Sequence, residues 1–237
     1  MKQCLMIMVK LCTSKIYKSH LQGKHTSHSY SCFSILNYGG FYHEARQPFG
    51  SLLFFNEESL TPQQSQTYIS NIPMASLILP LTGNIDCSLH TDTYSIDAEQ
   101  IQFLKLETGN FYTIKNTLYN NPVSYLHIGI KENIKESVTD TIFLERMNTL
   151  SPLYDYTIHT SMKAYIGAFN CFAEDMYTLK QKDSGVFIYI TSGIFKIKNR
   201  QLEQGDAFSI RDINDITFEA LAPNSALILM ELPLNSF

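Results

Sequence analysis

The sequence predicts an all-β protein built from two successive, jelly-roll-like sets of strands. Three observations carry that reading. Short runs rich in Ile, Leu, Phe, Tyr and Thr recur between Gly, Asn, Asp and Pro breaks, as strands on a half-buried surface do. No window of helical length carries a 3.6-residue apolar period. Two sets of such runs, similar in length, flank the polar stretch 131–150, which reads as a linker with a short helix around 141–147.

In the first set, strands are expected at 51–55, 75–81, 84–89, 100–106, 110–115 and 124–130. The second set falls at 164–172, 176–179, 185–191, 193–198, 207–210, 216–220 and 226–232. The domain division is therefore 1–131 and 132–237. The clearest local pattern is ITSGIFKIKNRQLEQGDAFSI, with bends at Ser192–Gly193, Asn199–Arg200 and Gln204–Gly205–Asp206 joined by short strands. Glycine in such a bend permits the positive φ that a β-branched residue avoids. The same rhythm is fainter at LPLTGNIDCSL, followed by Ala98–Glu99.

Composition limits the function classes. Of 237 residues, 44% are hydrophobic and 17% charged, which gives material for a core and excludes a disordered chain. The apolar runs are far too short to span a bilayer. The start, MKQCLMIMVKLCTSK, has its apolar stretch interrupted by Lys10 and reads as a short first strand, not a secretory signal. Cys4, Cys12, Cys32, Cys87 and Cys171 are odd in number and lack any CxxC spacing, so they read as buried thiols in a reducing compartment. A cytoplasmic, membrane-free protein is the expectation. The net charge of −4 argues against a general nucleic-acid binder. Charge is uneven, however: no Asp or Glu precedes Glu44, whereas Lys2, Lys10, Lys15, Lys18 and Lys24 do. That stretch is either a solvated basic flank or a surface for an anion or partner.

Four stretches resemble the pirin-like and quercetinase-like bicupins of the cupin superfamily. SYSCFSILNYGGFY looks like the family's aromatic-rich opening segment. PFGSLLFFNEESLTP looks like the strand before its metal motif, and SYLHIGIKE like the strand that closes its first barrel. VFIYITSGIFKIKNRQLEQGDAFSIRDINDITFEALAPNSALILMELPL follows its C-terminal barrel nearly strand for strand. The resemblance implies two tandem cupin (jelly-roll) β-barrels with minor helical segments. It also implies one metal in the first barrel, held by a His-x-His pair, a third histidine and a glutamate two residues later. Imidazole and carboxylate suit iron, nickel or manganese and leave positions open for substrate or dioxygen.

Aligned on Gly83, the paired histidines fall at Ile69 and Asn71. Aligned on Ile101–Gln102 and Gly109, the third histidine falls at Tyr112 and the glutamate at Ile114. No histidine lies between His43 and His90, or between His90 and His127. The expectation is therefore no metal and no cofactor, with Ile69, Asn71, Tyr112 and Ile114 lining either a pocket or a filled interior.

The remaining chemistry offers no replacement. His25 and His28 lie in the basic segment, His127 reads as a packed or surface strand residue, and His90 sits with Asp92 at a hairpin tip. His20, His43 and His159 join no ligand cluster. The adjacent carboxylates Glu57–Glu58 and Glu174–Asp175 point to opposite faces of a strand and read as surface groups. No Gly-x-Ser-x-Gly elbow, phosphate loop or Rossmann glycine pattern occurs. The favoured reading is a metal-free, non-catalytic bicupin that binds a small molecule in its first barrel or regulates. The alternatives are a quercetin 2,3-dioxygenase-type enzyme with recruited ligands, and a protein-interaction module or transcription-linked cofactor. The oligomeric state is left open.

Overall fold

A computed structural model describes residues 13–132, 134–143, 146–154 and 160–234. The strands run in chain order as β1 (Thr13–Tyr17), β2 (Gly23–Thr26), β3 (Tyr30–Ser34), β4 (Leu52–Leu60) and β5 (Ser65–Ile69). Then come β6 (Met74–Thr82), β7 (Ile85–Leu89), β8 (Asp92–Ile96), β9 (Gln100–Leu106), β10 (Phe111–Asn116) and β11 (Val123–Ile130). A bridging pair, β12 (Val138–Thr141) and β13 (Ser151–Pro152), leads to β14 (Lys163–Phe169), β15 (Glu174–Thr178) and β16 (Ser184–Ser192). The last five are β17 (Ile194–Ile197), β18 (Arg200–Glu203), β19 (Ala207–Arg211), β20 (Asp215–Ala220) and β21 (Ser225–Pro233). Two three-residue 3-10 turns, Ser19–Leu21 and Glu44–Arg46, are the helical elements among the described residues.

Each half is a two-sheet jelly roll whose sheets do not close on each other. In the first half the order β12-β9-β6-β11-β4-β3-β2 faces β5-β10-β7-β8; in the second, β1-β19-β16-β21-β14-β13 faces β15-β20-β17-β18. The expected duplication is visible in matching elements. β6 and β16 are both nine residues long, and each ends at a glycine of positive φ, Gly83 at 70° and Gly193 at 73°. The hairpin after β17 bends at Lys198 and Asn199, both at positive φ, one residue earlier than the sequence suggested.

Two features depart from the sequence reading. The linker holds β12, which pairs with β9 through Val138↔Phe103, and the described residues of 141–147, where a short helix was expected, form none; the Val, Thr and Asp residues of β12 suit an edge strand. The start of the chain also crosses over. β1 pairs with β19 through Thr13↔Arg211 and Tyr17↔Ala207, and so lies on the second half's sheet despite its place within 1–131. The Gly205–Asp206 corner anchors it. The Asp206 carboxylate accepts from Lys18 Nζ at 2.7 Å and from the Ser19 N–H at 2.8 Å.

Three apolar clusters build the molecule. One fills the first half and another the second. The third lies between them, where Phe55, Leu77, Leu126 and Ile128 meet Phe187, Tyr189, Ile228 and Met230. Strands β4 and β11 are consequently buried on both faces. Alternation sends Phe55 and Leu126 to the seam, and Phe54 and Tyr125 into the first half.

Candidate functional site

Polar side chains collect inside the first half, on the inward faces of β4 and β11. Glu58 and His127 are 1% and 0% exposed, and Glu58 Oε1 lies 3.0 Å from His127 Nδ1. Asn56 Nδ2 donates to the same carboxylate oxygen at 3.0 Å, and the Tyr68 hydroxyl donates to the other. Tyr125 and Tyr68 share a hydroxyl–hydroxyl hydrogen bond of 2.9 Å. On the far side of the imidazole, Nε2 lies 2.9 Å from the Tyr112 hydroxyl and 3.1 Å from Ser76 Oγ. With Glu58 ionised, the Nδ1 proton points at the carboxylate, and Nε2 is left to the two hydroxyls.

The electrostatics follow from this packing. Burial alone would raise the Glu58 pKa, but the His127 charge and the hydrogen bonds from His127, Tyr68 and Asn56 outweigh it and hold the carboxyl below the ordinary range. Burial, reinforced by Glu58, pushes the Tyr68 and Tyr125 phenols well up. Burial also raises Tyr112 and lifts the Cys32 thiol to about 12. These are neutral hydrogen-bonding groups around one charged carboxylate.

Two of the four positions expected from the sequence enter this site. Tyr112 and Ile114 on β10 are 2% and 0% exposed and face inward. Ile69 is 50% exposed and Asn71 is also exposed, so neither lines the interior. Ile69 falls on the outward phase of β5, because successive side chains on a strand face opposite ways. The inward residues of β5 are Gln66 and Tyr68, paired in register with Ile114 and Tyr112. Gln66, Tyr68, Tyr112 and Ile114 therefore share one face of the β5–β10 pair.

Glu58, read from sequence as a surface carboxylate, is the centre of the network. Its signal was the alternation Phe54-x-Asn56-x-Glu58-x-Leu60, which keeps it in phase with two apolar residues. His127 is likewise in phase with Val123 and Tyr125 and is a packed residue. Glu57 turns the other way and accepts from the Tyr189 hydroxyl at 2.5 Å across the seam. His90 sits at the β7–β8 hairpin tip with φ 55°. His20, His25, His28 and His43 are exposed, and Cys32 and Cys87 are buried free thiols. Cys4, Cys12 and His159 lie outside the described residues. Among the described residues, no group of three His, Cys, Asp or Glu side chains could hold a metal ion.

Open space adjoins this network. A groove of about 630 Å³ runs between the free edges of the two sheets, where β2 and β3 part from β5. Tyr30, Cys32, Tyr38, Phe41 and Tyr68 line it, with Lys24 and His25 among its polar residues. Tyr38 and Tyr68 connect groove and network, with ring centroids 6.4 and 4.6 Å from that of His127. The second half differs at the matching place. Tyr177 on β15 donates to Glu231 at 2.5 Å, but the backbone N–H groups of Lys180 and Gln181 and the Ser184 hydroxyl saturate that carboxylate.

Comparison with known proteins bears on both halves. Residues 154–232 match the quercetinase C-terminal cupin domain. No curated protein matches the chain in sequence. Among solved structures, YhhW from Escherichia coli is 15% identical, with a TM-score of 0.81 over 93% of this chain and 98% of its own. The same bacterial pirin in complex with nickel(II) is 17% identical, with a TM-score of 0.80 over 93% and 99%. Quercetin 2,3-dioxygenase from Acinetobacter baumannii is 10% identical, with a TM-score of 0.70 over 93% and 86%. At these identities the likeness establishes the fold. Among the described residues, no helix is long and apolar enough to cross a membrane.

Proposed function

We propose that this pirin-like bicupin is a metal-free, non-catalytic protein that binds a small molecule in the groove at the open edge of its first half. The observation that carries the reading is the groove itself. Its volume of about 630 Å³ is that of a small-molecule site, and its walls are aromatic with a few polar groups. The fixed network behind it holds Tyr68 and Tyr38 in place, so the site needs little ordering on binding.

The donor set supports the metal-free part. Tyr112 and Ile114, where the resemblance implies the third histidine and the glutamate, and Gln66 and Tyr68 opposite them on β5 offer neither imidazole nor carboxylate. The two phenols are raised by burial and committed to Glu58 and His127, which does not suit phenolate ligation. Glu58 and His127 are hydrogen-bonded to each other instead of turning to an ion. These residues do not fit an iron, nickel or manganese centre. The dioxygenase alternative, to which the solved quercetin 2,3-dioxygenase lends its fold, needs donors brought from elsewhere in the chain.

The test uses anilinonaphthalene sulfonate as a fluorescent probe of the groove and Gly40→Trp as the obstruction. Gly40 lines the groove, and a Cβ added there meets nothing within 4 Å, so the variant is expected to fold. Saturable probe binding that weakens at least about tenfold in Gly40→Trp, with an unchanged melting temperature, is expected for a groove site. Equal binding by both proteins would remove the groove from the account.

A further inference from the structure

A second groove, of about 180 Å³, lies where β1 runs along β19 beside residues 44–49. The register Thr13↔Arg211, Lys15↔Ser209 puts Lys15, Ser209 and Arg211 on one face of this strand pair. Lys15 and Arg211 are diagonal neighbours there, with β-carbons roughly 7–8 Å apart, a span that one tetrahedral anion bridges. Aromatic rings brace both cations. Lys15 Nζ lies 5.0 Å from the Tyr17 ring centre, and the Arg211 guanidinium 5.7 Å from that of Phe49.

A third cation stands behind them. Arg46 is 5% exposed, lies 5.8 Å from the Tyr17 ring, and donates to the carbonyls of Ile35 at 2.7 Å and Lys18 at 3.2 Å. Among the described residues, none of the three belongs to an ion pair. Among the described residues, Glu44 is the single carboxylate lining the groove. Burial, and then the charge of Arg46, pull the Lys15 ammonium below its ordinary pKa, and no carboxylate offsets them. Buried or crowded cations are ordinarily paired with anions.

We propose that this groove binds a phosphate-class oxyanion, gripped between Lys15 and Arg211 with Ser209 at its floor and Arg46 adding positive potential from behind. The planar guanidinium of Arg211 suits two-point binding of such a group, and Lys15 supplies a point charge. The acid-free stretch before Glu44 thereby gains a specific role through Lys15. The groove takes the anionic group alone, so the ligand is inorganic phosphate or the phosphate of a small metabolite whose remainder stays outside.

Calorimetric titration of the full chain with sodium phosphate, and separately with glycerol 3-phosphate, tests this. Ionic strength is held constant with sodium chloride, so that general screening does not imitate binding. One saturable site is expected, weakened at least about tenfold in Lys15→Gln/Arg211→Gln and unchanged in the exposed-loop control Lys182→Gln. Tighter binding of glycerol 3-phosphate supports the site and assigns it to a phosphorylated metabolite; equal binding supports it as a site for the free anion. Should the double variant melt early, Arg211→Gln alone, at an exposed position, carries the same comparison. Absence of saturable binding at constant ionic strength, or binding by the variants equal to wild type, overturns the proposal.

Discussion

Glu58 and His127 meet across β4 and β11 with carboxylate and imidazole 3.0 Å apart, both shut off from solvent. Removing one partner leaves the other's polar groups buried and unmatched. His127→Ala is expected to cost about 3–5 kcal/mol of unfolding free energy, the range for a broken buried pair. Urea denaturation measures it, and a loss below about 1 kcal/mol would mean that the pair is not formed as described.

The same pair sets an acid limit. The folded carboxyl of Glu58 is held below its ordinary value of 4.5, so the unfolded chain takes up its proton first as pH falls. Its stabilisation is complete above about pH 4.5 and disappears as pH drops through the lower folded value. Glu132 is raised by burial and acts in the opposite sense, so the comparison must isolate Glu58. Thermal melts of wild type and Glu58→Gln between pH 3 and 7 are expected to differ most near neutrality and to converge towards pH 3, in steps of about 1.4 kcal/mol per pKa unit. A gap that stays constant with pH would contradict the lowered carboxyl.

The seam between the halves carries a polar link of its own. Tyr189 donates to Glu57 at 2.5 Å, beside the stack in which Phe55 lies 4.8 Å from Tyr189 and 5.5 Å from Phe187. Tyr189→Phe is expected to cost about 1.5–3 kcal/mol, as for a hydrogen bond to a charged group. Phe187→Ala is expected to cost about 3–5 kcal/mol. Because the seam cluster joins both halves, each variant should still unfold in one transition, by fluorescence and circular dichroism alike. Two separated transitions would show the halves to be independent.

The bend that made the second half recognisable is itself testable. Gly193 has φ 73°, and a Cβ there would stand 2.7 Å from the Ser225 Cα. Gly193→Ala is expected to cost about 1–3 kcal/mol through backbone strain and crowding. Gly40→Ala, in open space, should cost less than about 1 kcal/mol in the same chemical denaturation series.

Local rules were enough for the strands and their repeat. The run 100–106 is β9 to the residue, and the Gly193 and Gly205 bends appear as their patterns required. What failed depended on partners distant in sequence. β1 joins β19 because Asp206 reaches Lys18 and Ser19, a contact across some 190 residues that no local pattern encodes. Glu58 looked like one of two surface carboxylates, since nothing nearby announces that β4 is covered on both faces. The phase was misjudged at Ile69 because the short loop after β5 gives no register signal, and any odd slip reverses every side chain. The groove needs the edges of two sheets, so it could not be read from any single segment.

In the proposed reading, the carboxylate–imidazole–phenol network of the first half stands in place of a metal centre. Elemental analysis of tag-free protein, after incubation with nickel(II), iron(II) or manganese(II) and removal of unbound ions, tests it most directly. Far less than one ion per chain is expected for each metal. A value near one per chain, abolished by Glu58→Gln or His127→Ala, would contradict it and put those two residues among the ligands.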